Sequence, residues 1–196
     1  VILGIGVIAL AFYSSATAAR YQCDSLLSAP PEPSTPATDG SPLPGFATRD
    51  MGRSHVGPNQ TVRYDFCPPA SGNHWTVAGR APLQRQFYRT GDDVTPGNWV
   101  HNLEHGFVTI AYRDPLTSEQ EAGIREVFDT ATQMPSAAAC NIPNKVLVVP
   151  FAEMSEPFAV LAWDRVLLLP EWDTEQALAF ANQWQENPQS PEATAC

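Results

Sequence analysis

Six prolines, Pro30, Pro31, Pro33, Pro36, Pro42 and Pro44, fall among Ser, Thr, Ala and Gly between Ser28 and Gly45 of this 196-residue chain. Proline donates no backbone hydrogen bond and holds φ at about −65°, so a stretch of this composition builds no core and runs extended as a linker. It divides the chain into an apolar segment over residues 1–20, a Pro-rich linker over 21–45, a globular unit over 46–187 and a short tail over 188–196. With 43% hydrophobic and 10% aromatic residues there is material for one sizeable core, so a single domain is expected after the linker.

Val1 to Phe12 is an unbroken apolar run, extended by the small residues Ser14 to Ala19 and stopped at Arg20, close to the roughly 20 residues that a helix needs to cross a bilayer. We expect a single-pass anchor that holds the bilayer through residues 1–19. The competing reading is a cleaved signal peptide, with Ala16-Thr17-Ala18 as its cleavage site. Cys23, Cys67, Cys140 and Cys196 show no C-x-x-C spacing. That argues against a zinc ribbon and for disulfides in an oxidising compartment, so the domain is expected at the bacterial cytoplasmic membrane, facing the periplasm or the exterior. Cys67 and Cys140 both lie inside the globular part beside prolines and are the expected pair. Cys23 and Cys196 bracket it and either pair or stay free. With 21 acidic and 11 basic side chains the net charge is −10, and Lys145 is the only lysine, which excludes a cationic surface for nucleic acid.

Within the globular unit, Val62, Tyr64 and Phe66 alternate with Thr61, Arg63 and Asp65 at the period of a half-buried strand. Residues 107–112, 145–151, 158–163 and 166–169 are short apolar runs that suit buried strands, the last two joined across Asp164-Arg165. Ser118 with Glu121 makes a capping-box pattern ahead of Ile124, Val127, Phe128 and Ala131 at helical spacing. Asp173 or Thr174 caps a second helix with Ala177, Phe180, Ala181 and Trp184 on one face. The order predicts an α+β fold, a small antiparallel or mixed sheet with two helices on one face.

All four histidines, His55, His74, His101 and His105, fall within residues 55–105. Imidazole is the commonest protein ligand for zinc and copper, so these four, completed by Glu104 or Met51, form a candidate metal site for either ion. Hydrogen bonding within a turn-rich region is the competing role. His101-Asn102-Leu103-Glu104-His105 also fits the H-x-x-E-H pattern of inverted zincins, in which both histidines bind one zinc and the glutamate is general base. Pro96-Gly97 before it and Gly106 after it leave at most about two turns, too short for that family's active-site helix. Ser71, three residues before His74, suggests a Ser/His pair, but no G-x-S-x-G elbow or orienting acid accompanies it. No catalytic residue is assigned.

The segments Pro68-Pro69-Ala70-Ser71-Gly72-Asn73-His74-Trp75 and His101-Asn102-Leu103-Glu104-His105-Gly106, with His55-Val56 upstream and Ala162-Trp163 downstream, resemble the family called domain of unknown function 3105. The likeness runs over about residues 50–185 and implies an exported bacterial protein, often with one anchor before a Pro-rich linker. It also implies that His55, His74, His101, Glu104 and His105 share one region. Ala70 stands where the family tends to have Thr, which weakens any role for a hydroxyl there.

The leading expectation is a membrane-anchored, extracytoplasmic accessory or scaffold subunit of a membrane-embedded complex, of the respiratory or photosynthetic kind, without enzymatic activity. The second is a copper- or zinc-binding domain built on the histidines. A zinc-dependent hydrolase with Glu104 as base is the third.

Overall fold

The computed structural model describes residues 20–30 and 44–196. The expected anchor and most of the expected linker lie outside the described residues, and no described helix is long and apolar enough to cross a membrane. In chain order the elements are β1 (Tyr21–Cys23), β2 (Phe46–Ala47), β3 (His55–Val56), β4 (Val62–Tyr64), β5 (His74–Trp75), α1 (Pro96–Glu104) and β6 (Val108–Tyr112). There follow α2 (Ser118–Thr130), α3 (Pro135–Ala139), β7 (Val146–Pro150), β8 (Phe158–Ala162), β9 (Arg165–Leu169) and α4 (Thr174–Trp184).

Five strands make one mixed sheet in the order β2-β9-β8-β6-β7, in which only β6 and β7 run parallel. Parallel neighbours need a crossover, and α2 with α3 supplies it. Because successive side chains leave a strand on opposite faces, Val108, Ile110, Tyr112, Val146, Val148, Phe158, Val160 and Leu167 point to one side. There they pack on Ile124 and Val127 of α2 and on Ala177, Phe180 and Ala181 of α4. These are the two helices that the apolar spacing predicts.

The opposite face is covered as well, which the expected two-layer arrangement omits. Ala111, Leu147, Val149, Ala159, Leu161 and Val166 meet Trp99, Val100 and Leu103 of α1, together with Val62, Tyr64 and Trp75. All nine residues of α1 are buried, its polar side chains as well as Trp99, Val100 and Leu103, so the helix has no solvent face. This third layer brings the histidine segments onto the sheet.

Two local details shift. The cap of α2 is Thr117 rather than Ser118: Gln120 N donates to Thr117 Oγ1 at 3.2 Å and Thr117 N to Gln120 Oε1 at 2.9 Å. The β8–β9 turn is Trp163-Asp164 rather than Asp164-Arg165, since Ala162 pairs with Arg165 and Asp164 takes a positive φ of 56°. Asp is among the few non-glycine residues that accept this conformation. Asp173 caps α4 as expected, accepting from Gln176 N at 2.9 Å.

The cysteine pairing expected from the sequence is overturned. Cys67 bonds Cys23 and Cys140 bonds Cys196, with Cα separations of 5.7 and 5.5 Å. The physical reason is β1, which lies in the segment expected as linker yet pairs in parallel with β4, Cys23 opposite Tyr64. A further bridge between Leu26 and Cys67 continues that pairing and sets Cys23 beside Cys67. The folded part therefore starts before residue 46.

It also extends past residue 187. Lys145, expected in a strand, is fully buried, and its Nζ donates to His105 O at 2.7 Å and to Ala193 O and Ala195 O at 2.9 Å each. An ammonium has three donors, so three carbonyls satisfy it completely. With the Cys140–Cys196 disulfide, this holds residues 186–196 across the end of α1. Lys145→Met keeps the bulk and leaves three carbonyls unpaired; we expect a loss of about 3 kcal/mol in urea unfolding, with faster amide exchange over residues 190–196. An unchanged midpoint would mean that the disulfide alone secures this segment.

Candidate metal centre

Three separate elements deliver the histidines. The two-residue strands β3 and β5 pair in parallel with His55 opposite His74, and directly paired residues present their side chains on the same face. The loop before β5 is tightly set: Gly72 N donates to Gly52 O at 2.9 Å, and Gly72 has φ of 124° with the Tyr64 ring 2.8 Å from where a Cβ would stand. His101 and Glu104 lie three residues apart on α1, the spacing that places side chains on one helical face. At Gly97 an added Cβ would meet the Trp75 ring at 2.8 Å, so glycine there lets α1 lie close on β5.

The result is a compact cluster. Ring centroids of His55, His74 and His101 are 4.8, 4.8 and 4.9 Å apart, and Glu104 Oε2 lies 2.9 Å from both His55 Nε2 and His74 Nε2. One donor atom from each of His55, His74, His101 and Glu104 falls within 4.8 Å of the other three. Four ligands at zinc distances of about 2.0–2.1 Å stand about 3.4 Å from one another, inside the range the cluster spans. His74, His101 and Glu104 are buried, while the His55 side chain is 40% exposed and forms the solvent side.

The outer hydrogen bonds also suit a metal. His74 Nδ1 donates to Gly72 O at 2.8 Å and His101 Nδ1 to Trp75 O at 2.7 Å. A carbonyl only accepts, so these bonds place the proton on Nδ1 and turn Nε2 inward, as the outer partners of metal-bound histidines do. Burial lowers the pKa of His101 to about 4, only partly opposed by the Trp75 carbonyl, which leaves its ring neutral and its lone pair available. Burial pushes Glu104 up, but hydrogen bonds and charge from His74 and His55 outweigh it and hold the carboxyl at about 2. An ionised Glu104 can only accept. His74 meets both this carboxylate and a carbonyl, so hydrogen bonding alone requires a second proton on a fully buried ring; a cation at the centre meets the same need by taking Nε2 and Oε2 together.

Of the five residues read from the sequence as metal ligands, four converge and His105 does not join them. His105 follows the end of α1, its ring 4.8 Å from that of His101, and its Nε2 faces Glu192 Oε2 at 3.4 Å. Burial lowers its pKa, opposed by Glu192. The H-x-x-E-H reading is corrected accordingly, because Glu104 stands among the ligands and the two histidines fall in different groups. The Ser71–His74 pair does not form either: Ser71 Oγ accepts from Met51 N at 3.0 Å, and both His74 nitrogens have other partners. The sequence carries no sign that Glu192 or the carbonyls of Gly72 and Trp75 take part. A backbone carbonyl carries no sequence signal, and Glu192 lies 87 residues past His105 in sequence.

Fold and cluster together define an α+β domain built around three imidazoles and one carboxylate. The chain belongs to the family described as Protein of unknown function (DUF3105), which matches residues 55–196 and so takes in all four ligand candidates. No curated protein and no solved structure matches the chain.

Proposed function

We propose that this domain binds a transition-metal ion, zinc or copper, through His55, His74, His101 and Glu104. The observation that carries the reading is the convergence of four donor atoms within 4.8 Å, with two of the three rings oriented by carbonyls at Nδ1. Nitrogen-rich ligands with one carboxylate suit both ions, and the set contains no thiol that an oxidising compartment would remove. Two disulfides support placing the domain outside the cytoplasm. The accessory-subunit reading ranks second. Leu26 is the only large apolar side chain exposed among the described residues, so they offer no broad apolar face to a partner.

Elemental analysis of the purified full chain tests the proposal, beside His101→Ala and the milder Glu104→Gln. Near-stoichiometric zinc or copper in the parent, reduced in both variants, is the expected result. A parent that holds no more metal than His101→Ala after incubation with either ion would refute it.

A further inference from the structure

We propose that Glu104 is a bridging carboxylate and that His105 and Glu192 complete a second metal-ion site beside the first, an inference that rests on the metal-binding reading above. Donor atoms of Glu104, His105 and Glu192 lie within 4.8 Å of one another, and Glu104 belongs to both groups. Its hydrogen bonds to His55 and His74 both reach Oε2, which leaves Oε1 for another ion. A carboxylate joining two ions in this way is the usual link in two-metal centres, whose ions stand about 3.5–4 Å apart.

The His105–Glu192 contact has the wrong length for a strong ion pair and the right one for two ligands on one ion. Charge-assisted N–H···O bonds run at about 2.7–2.9 Å. His105 Nε2 and Glu192 Oε2 are 3.4 Å apart, close to the roughly 3.4 Å that separates neighbouring ligands around zinc. His105 is nine-tenths buried and its Nδ1 makes no close hydrogen bond, the Cys196 backbone acting on the ring only as a weak partner, so the ring is held less firmly by hydrogen bonding than those of His74 and His101.

Glu192 is not carried there by a loose segment. Its backbone N donates to Glu104 O at 3.0 Å, Glu186 N donates to Gly106 O at 2.9 Å, and Lys145 and the Cys140–Cys196 disulfide clamp the residues that follow. Lys145 brings positive charge near, but its three protons are occupied by carbonyls, and the Glu186 carboxylate offsets its charge. One imidazole and two carboxylates make a harder donor set than the first site has, and the Glu192 side chain is 52% exposed, so water fills the remaining positions. The second ion is therefore the weaker and the more exchangeable.

The test is a Zn²⁺ titration of the metal-stripped full chain by calorimetry, with the bound zinc counted after desalting. The parent takes up two ions in two phases of different affinity. Glu192→Gln, a change at a half-exposed side chain that leaves the fold intact, loses the weaker phase and keeps the tighter one, and His105→Ala does the same. A parent with one phase overturns the second site and leaves the first standing, two phases in Glu192→Gln overturn the ligand assignment, and no uptake of Zn²⁺, nor of Cu²⁺ in a parallel titration, overturns both readings.

Discussion

Saturating the metal-free chain with Zn²⁺ is expected to raise its melting temperature by about 8–16 °C. A ligand at about 1,000 times its Kd that binds only the folded state adds about 4.1 kcal/mol, and each kcal/mol moves the midpoint by about 2–4 °C at this chain length. Binding is confined to the folded state because the ligands come from β3, β5 and α1, whose spacing in the unfolded chain does not hold four donors together. His74→Ala should abolish most of the shift. Structural zinc sites with four ligands bind with about 10–16 kcal/mol, so one ligand accounts for roughly 3 kcal/mol, or about 100-fold in affinity. Scanning fluorimetry with and without Zn²⁺ measures both. No shift in the parent with either Zn²⁺ or Cu²⁺ would sink the metal reading, and an equal shift in His74→Ala would move the ion elsewhere.

The sequence shows the sheet plainly because β6, β7, β8 and β9 are buried on both faces, and buried strands read as continuous apolar runs. It also shows α2 and α4, which expose one side to water and so keep helical periodicity. The helix that carries the site is the hardest to see. Every residue of α1 is buried, and His101, Asn102 and Glu104 are turned inward by contacts that begin far away in the chain, such as Asn102 Oδ1 accepting from Leu83 N at 2.8 Å. The crowding of histidines into residues 55–105 was a true signal of their meeting, but it could not separate His105. That separation depends on α1 ending at Glu104, so that His105 leaves the helical face shared by His101 and Glu104. The disulfides were illegible for a related reason. β4 alternates visibly, but its three-residue partner β1 is too short to show a pattern, and its place beside the Pro-rich stretch makes it read as linker.

Gly106→Ala is expected to cost about 2–5 kcal/mol and to lower the melting temperature by about 4–20 °C. Two effects add. Gly106 has φ of 77°, where a side chain costs about 1–2 kcal/mol. Its added Cβ would stand 2.3 Å from Ala193 O and 3.0 Å from Glu186 Cα, both backbone atoms that cannot rotate aside, and forced overpacking of this kind costs about 1–3 kcal/mol more. Gly79→Ala isolates the first effect, since Gly79 has φ of 74° and nothing within 4 Å of its Cβ position. Its loss should stay near 1–2 kcal/mol. The difference between the two variants therefore measures how firmly residues 186–196 press on the end of α1. If Gly106→Ala is no worse than Gly79→Ala, those residues yield freely and Glu192 is not held at His105. If it is worse by the expected margin, the glycine that ends the His101–Gly106 motif is there because the backbone of residues 186–196 occupies the space a side chain would need, and the same variant should lose the weaker metal ion while the tighter one remains.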